Sequence, residues 1–223
     1  MNAQALINQI LPNNGVFSID YSNPSYNLVT SVKNQGTCGC CWAFSSIAEI
    51  ESLYLYRHKM YLDLSEQQMV DCMNAVDPNS NGCNGGMMDS VEFYAAQYFL
   101  VEEKYYPYME VDQTCKQSVI NLRGAFKING YNYISGCTQM ASTLLATRPM
   151  AVCGLADDQW QNYGSGVLTT CNVGTPGGHC ILLVGVTSDG TQNTATNYFR
   201  YKNQWGYNWG MDGYVHLYRD YKN

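Results

Sequence analysis

The chain has 223 residues, 46% of them hydrophobic and 13% charged, which is the composition of a globular protein and not of a disordered one. Twelve Lys and Arg residues against eighteen Asp and Glu residues give a net charge of −6. No basic cluster is present, so we expect no nucleic-acid partner. No apolar run reaches the length of a membrane span, so we expect no membrane partner.

Cysteine is unusually frequent, with ten residues in the chain. This content favours an oxidising compartment, either outside the cell or in the endosome–lysosome system. The first ten residues, MNAQALINQI, lack the basic start and the long apolar stretch of a signal peptide. The length permits one large domain or two small lobes around a shared cleft.

The first half of the chain is predicted to be mainly helical. Residues 11–36 are rich in Pro, Asn and Gly and are interpreted as an extended arm with little regular structure. Apolar spacing predicts a helix over 42–58, and Ser65 with Gln68 forms a capping-box pattern for a short helix ending at Cys72. A further helix is predicted over 87–99.

The second half changes character after residue 130. A short helix is predicted over 138–147, and the remaining apolar runs are short and separated by Gly and Asn, as is typical of strands. The predicted strands cover 150–155, 180–186, 198–201 and 214–218. A helical half followed by a β-rich half indicates an α+β protein with two unlike lobes, and the cleft between them is the natural place for a site.

The segment QGTCGCCWAF, residues 35–44, carries three cysteines in four positions. One of them, Cys41, begins the predicted helix, where the helix dipole favours a thiolate nucleophile. A dithiol oxidoreductase using Cys38 and Cys41 would need a preceding strand, which residues 11–36 do not predict. A zinc site from these cysteines and His179 is disfavoured because adjacent cysteines chelate a tetrahedral ion poorly.

A cysteine nucleophile needs a base, and the chain offers three histidines. His58 ends a polar helix face and is interpreted as a surface residue, and His216 lies in a strand pattern and is interpreted as structural. His179 follows two glycines and leads into a buried strand, so its side chain can face a cleft. Asn203 can orient an imidazole, or it can be a plain turn residue. Glu51 interrupts the apolar face of the first helix and is expected to be hydrogen-bonded inside the fold.

Five motifs occur in a fixed order along the chain: NQGTCGCCWAFS, LSEQQMVDC, GCNGG, GHCILLVGV and KNQWGYNWGMDGY. Together they resemble the papain-like cysteine proteases of the cathepsin L type over residues 11–218. The resemblance implies a single two-lobed papain-like unit over 11–223, with the active-site cleft between the lobes. The helical left lobe would cover about 36–127, and the β-barrel-like right lobe about 11–35 and 128–223. Residues 1–10 would be a propeptide remnant or residues of recombinant origin.

The resemblance also implies roles for the site residues. Cys41 would be the nucleophile, His179 the acid and base, Asn203 the group that orients His179, and Gln35 a donor to the oxyanion. Trp205 would shield the hydrogen bond between His179 and Asn203. The implied reaction is peptide-bond hydrolysis through a thioester acyl-enzyme, with no cofactor and no metal.

The implied substrate contacts lie on both sides of the cleft. Gly85 and Gly86 would pair their backbone with an extended substrate. Gly178 occupies a position where the family usually has Asp. The remaining residues would form the S2 pocket, which receives the substrate residue P2, and they are Met87, Met88, Cys153 and Cys180. We expect this pocket to be apolar, without an acidic group; the alternative is that these residues only pack the core.

The resemblance implies the disulfides Cys38–Cys83 and Cys72–Cys115, and Cys137–Cys171 is the favoured third pair. A bridge between Cys153 and Cys180 is conceivable, but it is not our expectation. Cys40 stands where the family usually has Ser and is expected to be a free thiol that points away from the reacting atoms and adds an oxidation hazard.

The expected partners are protein or peptide substrates, an inhibitory propeptide and cystatin-like inhibitors, and the chain is expected to act as a monomer. The expected location is the lysosome, an endosomal or food-vacuole compartment, or the cell exterior. An alternative function is that of a catalytically silent relative that serves as a binding or storage protein.

Overall fold

A computed structural model of the protein describes residues 15–169 and 177–219. Its helices are α1 (Cys41–His58), α2 (Glu66–Cys72), α3 (Met88–Gln97), α4 (Gln117–Arg123), α5 (Cys137–Ala146) and α6 (Asp158–Gln161). Its strands are β1 (Val16–Asp20), β2 (Leu100–Val101), β3 (Gly124–Phe126), β4 (Met150–Ala156), β5 (Val167–Leu168), β6 (Gly177–Asp189), β7 (Tyr198–Lys202) and β8 (Tyr214–Tyr218). Within the described ranges, no helix combines the length and the apolar character needed to cross a bilayer.

Helix α1 lies at the centre of the molecule and packs against both α3 and the sheet strands β4 and β6. Its first turn is almost completely buried, and Trp42 and Ile47 belong to the core of the helical part. The helix ends where Lys59 adopts a left-handed conformation (φ 56°) and donates its N–H to the Leu55 carbonyl at 3.0 Å. Cys41 is therefore held at the start of a rigid, buried helix.

The predicted capping box at α2 forms only in part. Ser65 Oγ accepts the N–H of Gln68 at 3.0 Å, as the pattern predicts. The Gln68 side chain does not reach back to Ser65, because its Oε1 accepts the N–H of Val101 at 2.8 Å. Gln68 therefore connects α2 to strand β2 through this hydrogen bond and does not complete the capping box with Ser65.

The main sheet has six strands in the order β1-β6-β7-β8-β5, with β4 also paired to β6. Strands β4 and β1 follow one another along the same edge of the long strand β6 and pair with its first and last residues. Strand β1 was not predicted, because the turn-rich arm that contains it becomes regular only through its long-range pairing with β6. Helix α4 and strand β3 were not predicted either.

The two largest buried clusters separate the helical part from the sheet. The first contains Trp42, Met69 and Val91 from the helices, and Cys180 from the start of β6 also belongs to it. The second is built on the sheet and on α5, with residues such as Leu144, Leu183, Phe199 and Val215. The α+β prediction is correct, and β6 connects the two cores.

Three disulfides occur among the described residues. Cys38–Cys83 and Cys72–Cys115 match the pairing implied by the resemblance. The third bond, Cys153–Cys180, corrects our expectation that these two residues remain separate. The reason is that they lie directly opposite each other on the antiparallel strands β4 and β6, with Cα atoms 4.1 Å apart.

The favoured pair Cys137–Cys171 is wrong, because Cys137 has a free, exposed thiol at the start of α5; Cys171 itself lies outside the described residues. The proposed remnant at residues 1–10 also lies outside them.

Candidate active site

Cys41 is the first residue of α1, and its thiol is partly buried. Burial raises the pKa of this thiol, while backbone N–H groups of Cys180, Trp42 and Cys41 itself donate to the sulfur and act in the opposite direction. Two of these donors belong to the first helical turn, whose N–H groups have no partner within the helix. The start of α1 therefore provides donors that favour a negative sulfur.

The side chains of His179 and Asn203 meet in a buried hydrogen bond, with 2.9 Å between His179 Nε2 and Asn203 Oδ1. Asn203 Oδ1 also accepts the backbone N–H of Gln204 at 2.9 Å. Since a backbone N–H can only donate, the oxygen of the Asn203 amide must face Gln204 and His179. His179 Nε2 is consequently the protonated nitrogen of the neutral ring, and Nδ1 carries the free lone pair.

Two tryptophans enclose the His179 ring. Trp205 lies across it with ring centres 4.8 Å apart, and Trp160 meets it edge-on at 5.9 Å. Burial lowers the pKa of His179, and the bond to Asn203 acts in the opposite direction. Burial therefore disfavours an isolated thiolate on Cys41 and an isolated imidazolium on His179.

Gln35 lies beside the same loop, because its backbone N–H donates to the Gln204 carbonyl at 2.9 Å. Its Nε2 donates to the Cys38 carbonyl at 2.7 Å. Its buried Oε1 has no hydrogen-bond partner within residues 15–169 and 177–219. An amide nitrogen carries two hydrogens, so one N–H of Gln35 remains available for a bound molecule.

Gln204 is the residue of this site that the sequence analysis missed. It accepts from Gln35, donates its backbone N–H to Asn203, and donates its side-chain Nε2 to the Cys180 carbonyl at 2.8 Å. A sequence signal existed, because Gln204 directly follows Asn203, but these contacts become visible only when β6 and the loop after β7 are brought together.

A cavity of about 730 Å³ opens beside His179 and runs between α1, α3 and the sheet. Met88 and Cys153, two of the residues expected in the S2 pocket, line it together with Leu155 and Trp160. Met87 does not line it; its side chain is 51% exposed. Cys180 is buried behind Cys153 through the disulfide and does not face the cavity.

The expectation of a pocket without acidic groups is wrong, because Glu49, Asp89 and Glu92 line the same cavity. Glu49 accepts the backbone N–H of Ala151 at 2.8 Å and faces Arg148 at 3.4 Å. Burial raises the pKa of Glu92 to about 8, with a further contribution from Glu49. The cluster joins Glu49 of α1 to Asp89 and Glu92 of α3, so periodicity within either helix alone did not reveal it.

The glycines at the cleft differ in their surroundings. Gly85 has a φ of 110° and open space where a Cβ would lie, but its backbone is engaged, because its C=O accepts the Asn81 N–H at 2.7 Å and its N–H donates to the Gly82 carbonyl at 3.4 Å. A Cβ on Gly86 would lie 2.5 Å from the Trp42 ring, so this position packs against α1. Gly178, the second residue of β6 and the one before His179, is exposed and also has open space where a Cβ would lie.

Cys40 is fully buried and free, and its sulfur lies 3.1 Å from the Tyr108 hydroxyl. The same hydroxyl donates to the Gln35 carbonyl at 2.7 Å. Burial raises the pKa of Cys40 to about 12. Its burial and raised pKa argue against the expected oxidation hazard, since such a thiol reacts poorly with oxidants.

The remaining candidates have structural surroundings. Glu51 accepts from Thr30 at 2.6 Å and from Lys33 at 3.1 Å, which agrees with its interpretation as a satisfied interior carboxylate. His58 is exposed, and His216 stacks on Tyr198 at 4.1 Å. Within the described part of the chain, no three metal-ligating side chains come close enough to hold an ion.

The comparisons with known proteins agree with this geometry. The family model described as "Papain family cysteine protease" matches residues 16–223. Cathepsin L 1 of Paramecium tetraurelia is 38% identical over 89% of this chain and 59% of the relative, and procathepsin L of Mus musculus is 35% identical over 87% and 58%. The chain thus spans less than two thirds of the length of these relatives.

Solved structures show the same fold. The digestive procathepsin L 3 of Tenebrio molitor superposes with a TM-score of 0.79 at 31% identity, covering 91% of this chain and 64% of that one. The bromelain protease of Ananas comosus, solved with the E64 inhibitor, gives a TM-score of 0.77 at 33% identity and covers 91% and 89%.

Proposed function

Because the chain belongs to the papain family of cysteine proteases, we propose that it is an endopeptidase that cleaves peptide bonds through a thioester on Cys41. The observation that carries this proposal is the buried bond between His179 Nε2 and Asn203 Oδ1, which leaves Nδ1 of the ring free to accept a proton. The same arrangement argues against a catalytically silent binding or storage protein, which has no need of a fixed histidine tautomer.

The proposed reaction begins when His179 Nδ1 takes the thiol proton of Cys41. The thiolate attacks the carbonyl carbon of the substrate, and the second N–H of Gln35 and a backbone N–H at the start of α1 donate to the oxyanion. The imidazolium gives its proton to the leaving amine, the C–N bond breaks, and a thioester remains. Water then gives a proton to His179 and attacks the thioester, which releases the acid and restores the enzyme.

We infer that the enzyme prefers an apolar residue at P2. The cavity wall formed by Met88, Cys153, Leu155 and Trp160 supports this preference. Each of the three carboxylates in the cavity is accounted for, since Glu49 is engaged by Ala151 and Arg148, burial raises the pKa of Glu92 to about 8, and Asp89 is hydrogen-bonded to Tyr133.

The proposed setting is an oxidising compartment, such as a lysosome, an endosomal compartment, a food vacuole or the cell exterior, where the three disulfides would persist. Solved relatives include proforms, as their titles state, so we also propose an inhibitory propeptide and cystatin-like inhibitors as partners. Action as a monomer remains a prediction.

Turnover of fluorogenic peptides that differ only at P2 tests the specificity. We expect kcat/KM to be at least about tenfold higher for Leu than for Arg, because burying a charge in this pocket is costly. A preference for Arg at about pH 6 would refute the apolar pocket while leaving peptide hydrolysis intact.

A further inference from the structure

Cys180 is the residue that follows His179, and three separate elements hold it. Its side chain is bonded to Cys153 on β4. Its carbonyl accepts Nε2 of Gln204 at 2.8 Å, and its backbone N–H donates to the sulfur of Cys41. It is 7% exposed, so none of these contacts competes with bulk water.

The strand geometry explains why these contacts exist. The pairing of β6 with β7 begins at Leu182 and Lys202, so Cys180 extends beyond the end of β7. Its N–H and C=O therefore have no strand partner on that side. If the pairing of β6 with β7 is continued two residues past Leu182 and Lys202, Gln204 lies opposite Cys180. The side-chain amide of Gln204 then donates to the Cys180 carbonyl in place of a backbone N–H from a neighbouring strand.

On the other side, Cys180 faces Cys153 directly. Because the N–H and C=O of Cys180 are both engaged away from β4, the two residues form a non-hydrogen-bonded pair, the kind in which side chains lie closest. The disulfide supplies the connection that backbone hydrogen bonds do not make here. The peptide groups of Cys180 are thus fixed by the disulfide on one side and by Gln204 on the other.

We propose that the Cys153–Cys180 disulfide and the Gln204 amide are positioning devices that hold the Cys180 N–H against the Cys41 sulfur and so favour the thiolate. A hydrogen bond to an anion depends on its direction and distance, so a small rotation of this peptide would weaken it. The inference rests on the proposed function, because it concerns the same nucleophile. Gln204 and Cys153 act through Cys180 and do not touch the substrate.

The test is the pH dependence of alkylation of Cys41 by iodoacetamide, followed by mass spectrometry of the peptide that contains Cys41. The variants are Gln204→Met, which removes the donor but keeps the backbone bonds, and the double variant Cys153→Ala/Cys180→Ala, which keeps the Cys180 peptide group. The matched control is Cys72→Ala/Cys115→Ala, which removes a disulfide outside this site. The titratable neighbours Cys40 and His179 are unchanged in all three.

We expect the alkylation profile of both test variants to move to higher pH by about one unit, which makes labelling at acidic pH about tenfold slower. The control should keep the wild-type profile. The proposal is overturned if both test variants keep that profile, or if the control shifts equally. Thermal unfolding identifies a variant that fails to fold. If one test variant does not fold, the alkylation profile of the other test variant decides whether the proposal stands. A wild type that labels normally but cleaves no peptide would refute the proposed function and not this inference.

Discussion

Asn203 holds His179 in one tautomer, because its Oδ1 accepts both the His179 Nε2–H and the backbone N–H of Gln204 at 2.9 Å. The backbone N–H of Gln204 can only donate, so it fixes which atom of the Asn203 amide is the oxygen and which is the nitrogen. The free lone pair of His179 therefore lies on Nδ1, the nitrogen to which we assign the proton of Cys41.

Replacing Asn203 with Ala should lower kcat about ten- to a hundredfold, because a hydrogen bond to a charged ring contributes ~1.5–3 kcal/mol. Steady-state kinetics on a fluorogenic peptide measure this. Asn197→Ala is the control, since Asn197 is equally buried but bonds Ser188 and Asp189 at the other end of β6. If Asn203→Ala loses no more activity than the control, Asn203 has no orienting role.

Replacing Gln35 with Ala should lower kcat about a hundred- to a thousandfold with little change in KM, as expected for a donor that acts mainly in the transition state. The control is Gln117→Ala, which removes an exposed amide that bonds Asn121. A rise in KM with kcat unchanged would show that Gln35 binds the substrate in its ground state instead.

Cys40 should stay unlabelled by iodoacetamide in the folded Cys41→Ala variant. It is fully buried, and its pKa is raised to about 12, so labelling at about pH 8 should be at least about a thousandfold slower than in the unfolded chain. Mass spectrometry before and after denaturation measures this. Rapid labelling in the folded state would show that Cys40 is accessible.

Glu92→Gln should stabilise the protein increasingly from about pH 4.5 to about pH 8. Burial raises the pKa of Glu92 to about 8, so the folded state holds a proton that the unfolded chain has released. Stability of the wild type therefore falls as pH rises through this window, by at most ~1.4 kcal/mol per pH unit, and the variant loses this dependence.

Thermal unfolding in a Cys41→Ala background, which avoids self-digestion, measures the difference. Glu110→Gln is the control of opposite sign, because hydrogen bonds from Thr37 lower the pKa of Glu110 and so favour the folded state at higher pH. A Glu92→Gln difference that stays constant with pH would contradict the assignment.

The sequence predicted the start of α1 at Cys41, the strand that follows His179 and the strand that precedes Asn203, because these follow from local patterns and from motifs of known spacing. It did not predict β1, whose regularity depends on β6. Gln204 and the Cys153–Cys180 bond were missed for the same reason, because each depends on how far β6 extends beyond β7 and on its register with β4. The acidic lining of the cavity was missed because it forms only where α1, with Glu49, packs against α3, with Asp89 and Glu92.

The most direct test of the central claim compares fluorogenic peptide turnover, with Leu at P2, between wild type and Cys41→Ala. The account predicts that the variant loses at least about a thousandfold in kcat, while its thermal unfolding stays close to that of the wild type. Equal turnover by the two proteins would contradict the assignment of Cys41 as the nucleophile.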